Sequence, residues 1–199
     1  MCIGYTPIII NDNTLIKNLK CIGILILSDV IRQDAKTTLD YFKRQDVDIK
    51  IISGDDPVTV SAIARRCHLL NYEHYIDVSS LSDEQIKEAI EKYTIFGRVS
   101  PKQKQLMVNA LQENNHTVAM TGDGVNDVLA LKAADCSIAM ASGSDAAKSA
   151  SHIVLLKNNF NAMPHIVNEG RRVINNITAS ASMYLIKTIF FKLFLSNWE

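Results

Sequence analysis

The sequence lacks an excess of either charge: 21 Lys and Arg stand against 21 Asp and Glu. Without a basic stripe, no nucleic-acid partner is expected. It lacks paired cysteines as well. Cys2, Cys21, Cys67 and Cys136 are scattered and form no Cys-x-x-Cys. That argues against a zinc site or a disulfide framework and for reduced thiols in a cytosolic domain. Residues 1–14 lack the basic start and cleavage site of a signal peptide. There is no internal repeat and no low-complexity tract. What remains is a globular chain. Its 47% hydrophobic content is ample for a core, and 199 residues suit one good-sized domain or slightly more.

The most informative stretch is Thr117-Val118-Ala119-Met120-Thr121-Gly122-Asp123-Gly124-Val125-Asn126-Asp127. An apolar run too short for a helix breaks at Gly-Asp-Gly and resumes as Val128–Ala134, which predicts strand, tight loop, helix. Asp123 lies at the strand exit and Asp127 four residues on, so both carboxylates can face one point. Two acids beside the Asn126 amide make a hard oxygen site suited to Mg²⁺, which keeps waters and shares phosphate oxygens. Capping of a helix explains one acid, not the whole set.

Around this centre, strands alternate with helices. Ile8–Ile10 reads as a short strand, Asn11–Asn13 as a turn, and Cys21–Leu27 as a buried strand ending at Ser28-Asp29. A helix over 33–44 follows, with Ala35, Leu39 and Phe42 on one face. Strand 48–52 runs into Ser53-Gly54-Asp55-Asp56-Pro57. Asp56 suits the cap and Pro57 the first position of a helix to Cys67, which points Val60, Ile63 and Ala64 inward. Ser82–Gln85 and Ser100–Gln103 both read as capping boxes, opening helices over 84–92 and from Pro101, the second with Leu106, Met107, Ala110 and Leu111 inward. A short strand at 93–96 separates them. After Ala134 come strands near 136–139 and 153–156, with a short helix between. Such alternation means a parallel, helix-covered, Rossmann-like α/β sheet. Residues 164–195 read as one long helix. Its end, Met183–Leu195, is apolar but holds Lys187 and Lys192 and falls short of the ~20 residues of a membrane span. The reading preferred here is a transmembrane helix that continues past the sequence; the other is a core helix.

Ligands in open α/β sheets gather at the carboxyl ends of strands. Ser53-Gly54-Asp55 offers a hydroxyl and helix N-terminal N–H groups to a phosphate. Lys104, in the first turn of its helix, opposes the helix dipole unless an anion is near. Lys102 competes for that role. Together these parts make a phosphoryl-transfer site, but no strand ends in a clear nucleophile, apart from Asp29.

Thr121–Asp127, with Ala130–Asp135 and Ile138–Met140, resembles the hinge signature of P-type cation-transporting ATPases, within the haloacid-dehalogenase superfamily. Ser53-Gly54-Asp55 resembles the family's Thr-Gly-Asp, and Arg98-Val99-Ser100-Pro101 with Lys104 its Arg-Val-x-Pro-x-x-Lys. Asp29 and Arg32 match its Asp-Pro-Pro-Arg, with Val30 and Ile31 in place of the prolines. Val128 departs from the common Ala-Pro after the hinge motif. Gly170–Phe190 looks most like the bacterial branch with calcium-transporting members. The Asp-Lys-Thr-Gly-Thr nucleophile motif is absent from the chain.

The resemblance implies that residues 1–19 return from a nucleotide-binding domain, 20–160 are part of the phosphorylation domain, and 161–199 are a stalk and the start of a transmembrane helix. It implies ATP and Mg²⁺ as cofactors, a transported cation with calcium in view, and a membrane location with residues 1–180 cytoplasmic. Asp123 and Asp127 would serve the metal, and Ser53, Gly54, Asp55 and Lys104 the transferred phosphate. Arg98 would face the nucleotide, and Asn126 would help order the loop. It also implies that the superfamily's nucleophile-bearing strand belongs between the strands ending at Ser53 and Thr121, leaving both with an open edge. Two other readings are a soluble phosphatase of the superfamily and a non-catalytic module.

Overall fold

A computed structural model of the chain describes residues 2–5, 20–25, 31–32, 35–157 and 159–196. Ile8–Ile10, Asn11–Asn13, the run from Ile26 to Val30 and the candidate nucleophile Asp29 lie outside the described residues. Two compact units divide at Arg32/Gln33.

In the first unit, β1 (Cys2–Tyr5) pairs antiparallel with β2 (Lys20–Ile24), with a register shift between Ile3 and Gly4. The expectation of a buried strand at 21–27 is corrected here. Ile22 is 68% and Ile24 74% exposed. A two-stranded ribbon has few neighbours to cover its faces, so an apolar run does not guarantee burial.

The second unit holds six parallel strands in two sheets. β3 (Ile51–Ile52), β4 (Tyr75–Asp77) and β5 (Ile95–Gly97) stand in the order β3-β5-β4. β6 (Ala119–Gly122), β7 (Cys136–Met140) and β8 (Ile153–Leu155) stand in sequence order. Helices α1 (Ala35–Arg44), α2 (Pro57–Arg66), α3 (Asp83–Lys92), α4 (Pro101–Glu113), α5 (Val128–Ala133) and α6 (Asp145–Ala150) cover them.

Alternation along β3 and β5 sends side chains to opposite faces. Ile51 and Ile95 face Val60 and Ala64 of α2, with Leu39 of α1 nearby. Ile52 and Phe96 face Ile86 and Ile90 of α3 and Met107 of α4. In the second sheet Met120 packs with Val108 of α4 and Leu131 of α5. Ile138, on the other face, packs with Leu155, Met163 and Phe42 of α1. So α4 and α1 each touch both sheets, from opposite faces.

The helix starts follow their local chemistry. The Asp56 carboxylate accepts from the N–H groups of Val58 and Thr59 at the head of α2. Ser82 and Ser100 each close a full capping box, with Gln85 and Gln103 returning the bond. α7 (Met163–Ser196) runs as one 34-residue helix with Met183, Tyr184, Leu185, Ile186, Phe190 and Leu193 exposed. Among the described residues no helix is long and apolar enough to cross a membrane.

Candidate active site

β3, β5 and β6 all end beside residues singled out above. β6 ends at Gly122, and the loop passes through Asp123 and Gly124 into a 3-10 turn at Val125–Asp127. Asp127 is 7% exposed and binds in two directions. Its Oδ2 accepts from the backbone N–H of Asp123 (3.3 Å) and Gly124 (3.1 Å), tying the loop to the helix that follows. Its Oδ1 accepts from Lys104 Nζ at 2.7 Å, with the side chains 12% and 11% exposed. A nearly buried carboxylate held by three donors is fixed in place. Spacing alone could not separate Lys104 from Lys102; here Lys104 makes the pair, and Lys102 is exposed.

The glycines permit this closure. A Cβ at Gly122 would lie 2.6 Å from Asp127 Cβ. One at Gly143 would lie 2.7 Å from the Asp123 carbonyl oxygen and 3.0 Å from that of Met140. The next residue, Ser144, donates its N–H to the Asp123 carbonyl at 2.8 Å. Gly143 and Ser144 were not singled out from sequence. Their signal was a Gly-Ser pair soon after a strand, at the same sheet end as the hinge loop.

Asp123 is exposed, and among the described residues its carboxylate takes no hydrogen bond or ion pair. Asn126 is exposed beside it. This donor set fits Mg²⁺: one free carboxylate at a strand exit, a second fixed four residues on, and room for waters and phosphate oxygens. Among the described residues no three His, Cys, Asp or Glu side chains form a closed metal cluster.

A second group of candidates gathers at the ends of β3 and β5. Ser53 Oγ lies 3.3 Å from Asp55 Oδ2 and accepts the Asp55 N–H at 3.1 Å, so the Ser-Gly-Asp turn closes on itself. Gly54 and Asp55 are exposed. Arg98 has φ 55°, a left-handed conformation costly for a non-glycine residue. Its N–H donates to the Asp55 carbonyl at 2.8 Å, and the next N–H, from Val99, donates to the Ser53 carbonyl at 2.9 Å. The Arg98 guanidinium reaches Asp56 at 3.0 Å and Asp77 at 3.3 Å. Asp77 is a partner the sequence reading missed, because β4 itself was missed. The Ser79 hydroxyl and N–H both donate to Asp77 and hold its carboxyl below the ordinary carboxylate range.

The structure therefore sorts the candidates into two groups. Asp123, Asp127 and Lys104 form one; Ser53, Asp55 and Arg98 form the other. Among the described residues no hydrogen bond or ion pair joins them directly. The start of α4 links them in the chain, with Arg98 before the Ser100 cap and Lys104 one turn in.

Residues 7–135 match the family described as haloacid dehalogenase-like hydrolase. The chain belongs to this family. Within it, the chain is homologous to the phosphorylation domain of cation-transporting P-type ATPases. It is 50% identical over 173 residues to a probable cation-transporting ATPase, exp7, of Streptococcus pneumoniae serotype 4, covering 87% of this chain and 22% of that protein. It is 49% identical over 171 residues to the calcium-transporting ATPase CtpE of Mycobacterium bovis, covering 85% and 21%. Among solved structures, a zinc-transporting PIB-type ATPase in its E2.Pi state matches with TM-score 0.60 and 27% identity over 75% of this chain and 21% of that one. The catalytic domain of the CPx-ATPase CopB-B matches with TM-score 0.54 and 29% identity, over 68% and 46%. This haloacid dehalogenase-like chain spans about a fifth of the length of the curated relatives it matches.

Proposed function

We propose that this chain supplies the Mg²⁺-binding hinge loop and the phosphate-binding residues of an ATP-driven cation transporter. The aspartate phosphorylated and dephosphorylated there is not in this chain. The observation that carries the reading is the Lys104–Asp127 pair at 2.7 Å, whose carboxylate also holds the Asp123 and Gly124 N–H groups. It spends Asp127 on fixing the loop and leaves the Asp123 carboxylate free at the strand exit.

Phosphoryl transfer is mostly positioning and charge stabilisation. Mg²⁺ bound at Asp123 would neutralise phosphate oxygens and hold them in line. Asp127 lies at the edge of the same site. Lys104 supplies a fixed positive charge beside the transferred group. Ser53, with the Gly54 and Asp55 backbone, cradles phosphate oxygens, and Asn126 lines the loop. Arg98, drawn to one side by Asp56 and Asp77, faces the nucleotide. Residues 20–160 belong to the phosphorylation domain and residues 161–199 to a stalk entering the membrane, with calcium the transported ion by the names of the relatives.

The test uses acid-stable labelling from γ-labelled ATP. In the complete transporter, Asp123→Asn abolishes Mg²⁺-dependent label and Lys104→Ala lowers turnover by about a hundredfold. Wild-type labelling in Asp123→Asn overturns the assignment. The chain by itself takes up no hydroxylamine-sensitive label, because it lacks the nucleophile motif. Label above background would point to another aspartate, with Asp29 first to test.

A further inference from the structure

We propose that Asp77 is a positioning residue for Arg98. With Asp56 it stretches the guanidinium between two strand ends and presents it, already ordered, to the nucleotide. That Arg98 faces the nucleotide rests on the function proposed above; the hold on its side chain rests on geometry alone. The hold begins in the backbone. Arg98 follows β5, the middle strand of its sheet, with β3 on one side and β4 on the other. Asp77 stands opposite Gly97 in the register of β4 and β5. A Cβ at Gly97 would lie 2.4 Å from Pro57 Cδ, so the missing side chain lets the start of α2 close onto β5 and brings Asp56 beside Arg98. Arg98 then takes its left-handed φ of 55°, fixed by the N–H bonds that it and Val99 make to the Asp55 and Ser53 carbonyls.

Both carboxylates are pinned by groups other than Arg98, and each keeps one oxygen for it. Asp56 accepts from the N–H groups of Val58 and Thr59 at Oδ2 and from Arg98 Nη2 at Oδ1, at 3.0 Å. Asp77 accepts from the Ser79 N–H (2.9 Å) and hydroxyl (2.6 Å) at Oδ1 and meets Arg98 Nη1 with Oδ2 at 3.3 Å. Val78, between Asp77 and Ser79, is fully buried, and its carbonyl accepts from Gln103 Nε2 at 3.2 Å. The turn that carries Asp77 is therefore anchored both to the core and to the cap of α4.

An ordinary surface ion pair must order two mobile side chains and gains little. Here the two acids are fixed beforehand, and only Arg98 is left to order. A guanidinium is a planar, rigid fork of donors. Partners at Nη1 and Nη2, on opposite sides, set both its direction and its plane. Among the described residues its Nε takes no hydrogen bond, so donors remain for a ligand. Asp56, Asp77 and Arg98 together sum to one negative charge, so the cluster does not draw a phosphate by net charge. What it offers is a donor whose ordering cost is met before the ligand arrives. Asp77 therefore acts on how tightly the nucleotide is held, not on the transfer step at Asp123 and Lys104.

The experiment measures steady-state ATP hydrolysis in the complete transporter and the order of the Arg98 Nε–H, by NMR relaxation, in the full chain. The test variant is Asp77→Asn. Its amide oxygen still accepts from Ser79, while its NH₂ replaces the oxygen that faces Arg98. The expected result is a KM for ATP raised about fivefold, the upper range for an exposed ion pair, with kcat within about twofold of wild type. In the chain, the Arg98 Nε–H order parameter should exceed ~0.6 in wild type and fall below it in Asp77→Asn. Arg98→Ala should raise KM about tenfold or more, and Asp77→Asn should add nothing in that background, because it acts through Arg98. An equal further rise there would mean a merely structural role and overturn the proposal. So would a lowered KM in Asp77→Asn, or an Arg98 side chain already mobile in the wild-type chain. If Arg98→Ala raises KM and Asp77→Asn does not, the proposal alone falls. If Arg98→Ala leaves KM unchanged, the nucleotide-facing role of Arg98 falls and the proposal with it.

Discussion

At Asp127 one side chain carries two duties, and substitutions separate them. Lys104→Ala leaves a carboxylate that is 11% exposed without its cation, and breaking such a pair costs about 3 kcal/mol. Urea unfolding should show the loss as a lower midpoint with an unchanged slope. Asp123→Asn should behave differently. Its exposed carboxylate holds nothing in the fold, so stability should move by no more than ~0.5 kcal/mol while metal binding disappears. Equal destabilisation by both variants would mean that Asp123 has a structural role not seen here. Gly143→Ala tests the loop's rear wall. Its added carbon would press on the Asp123 and Met140 carbonyl oxygens, which are backbone and cannot swing aside. Overpacking of this kind costs about 1–3 kcal/mol, and the shifted loop should also bind Mg²⁺ more weakly.

At the scale of elements, β6 is anchored by a side chain. Asp135 Oδ2 accepts the Val118 N–H at 2.8 Å, and this bond holds its carboxyl below the ordinary carboxylate range. The folded value lies below the unfolded one. The stabilisation is therefore complete above the ordinary aspartate value and is lost as pH falls through the depressed one. Asp135→Asn should be less stable than wild type at neutral pH, and the gap should close in acid. A gap that widened in acid would contradict the assignment.

Helix starts were readable because caps are local: Ser82, Ser100 and Asp56 sit within three residues of what they bond. β4 escaped notice because only Tyr75–Asp77 pair, too few to show a period. Val108 was not placed in the core because α4 is buried on two sides, against two sheets, whereas a single apolar stripe was read for it. The exposure of β2 was unreadable for a related reason: burial depends on what lies across a strand, and an apolar run carries no information about that. At the site, the hinge loop could be read residue by residue, while the pairing of Arg98 with Asp77 depended on a strand order set by long-range packing.

At the scale of the whole molecule, the described residues present two surfaces that favour association. One is the pair of edges at β3 and β6, which no strand among the described residues covers, since unpaired strand edges recruit other chains. The other is α7, where Met183, Tyr184, Ile186 and Phe190 are all more than half exposed. Sedimentation should show the full chain associating. A chain ending before Met183 should associate less but still measurably, because the edges remain. A monodisperse, cooperatively unfolding monomer from that shorter chain would mean that the sheets tolerate open edges.

The central claim is that the loop after β6 is the metal-holding part of a phosphoryl-transfer site, and paramagnetic broadening by Mn²⁺ in place of Mg²⁺ tests it most directly. With inorganic phosphate present, amide signals of Gly122 through Asn126 should broaden first and those of Ser53 and Gly54 next, and Asp123→Asn should remove the effect while the remaining spectrum stays that of a folded chain. Broadening centred elsewhere, or unchanged in Asp123→Asn, would contradict the account.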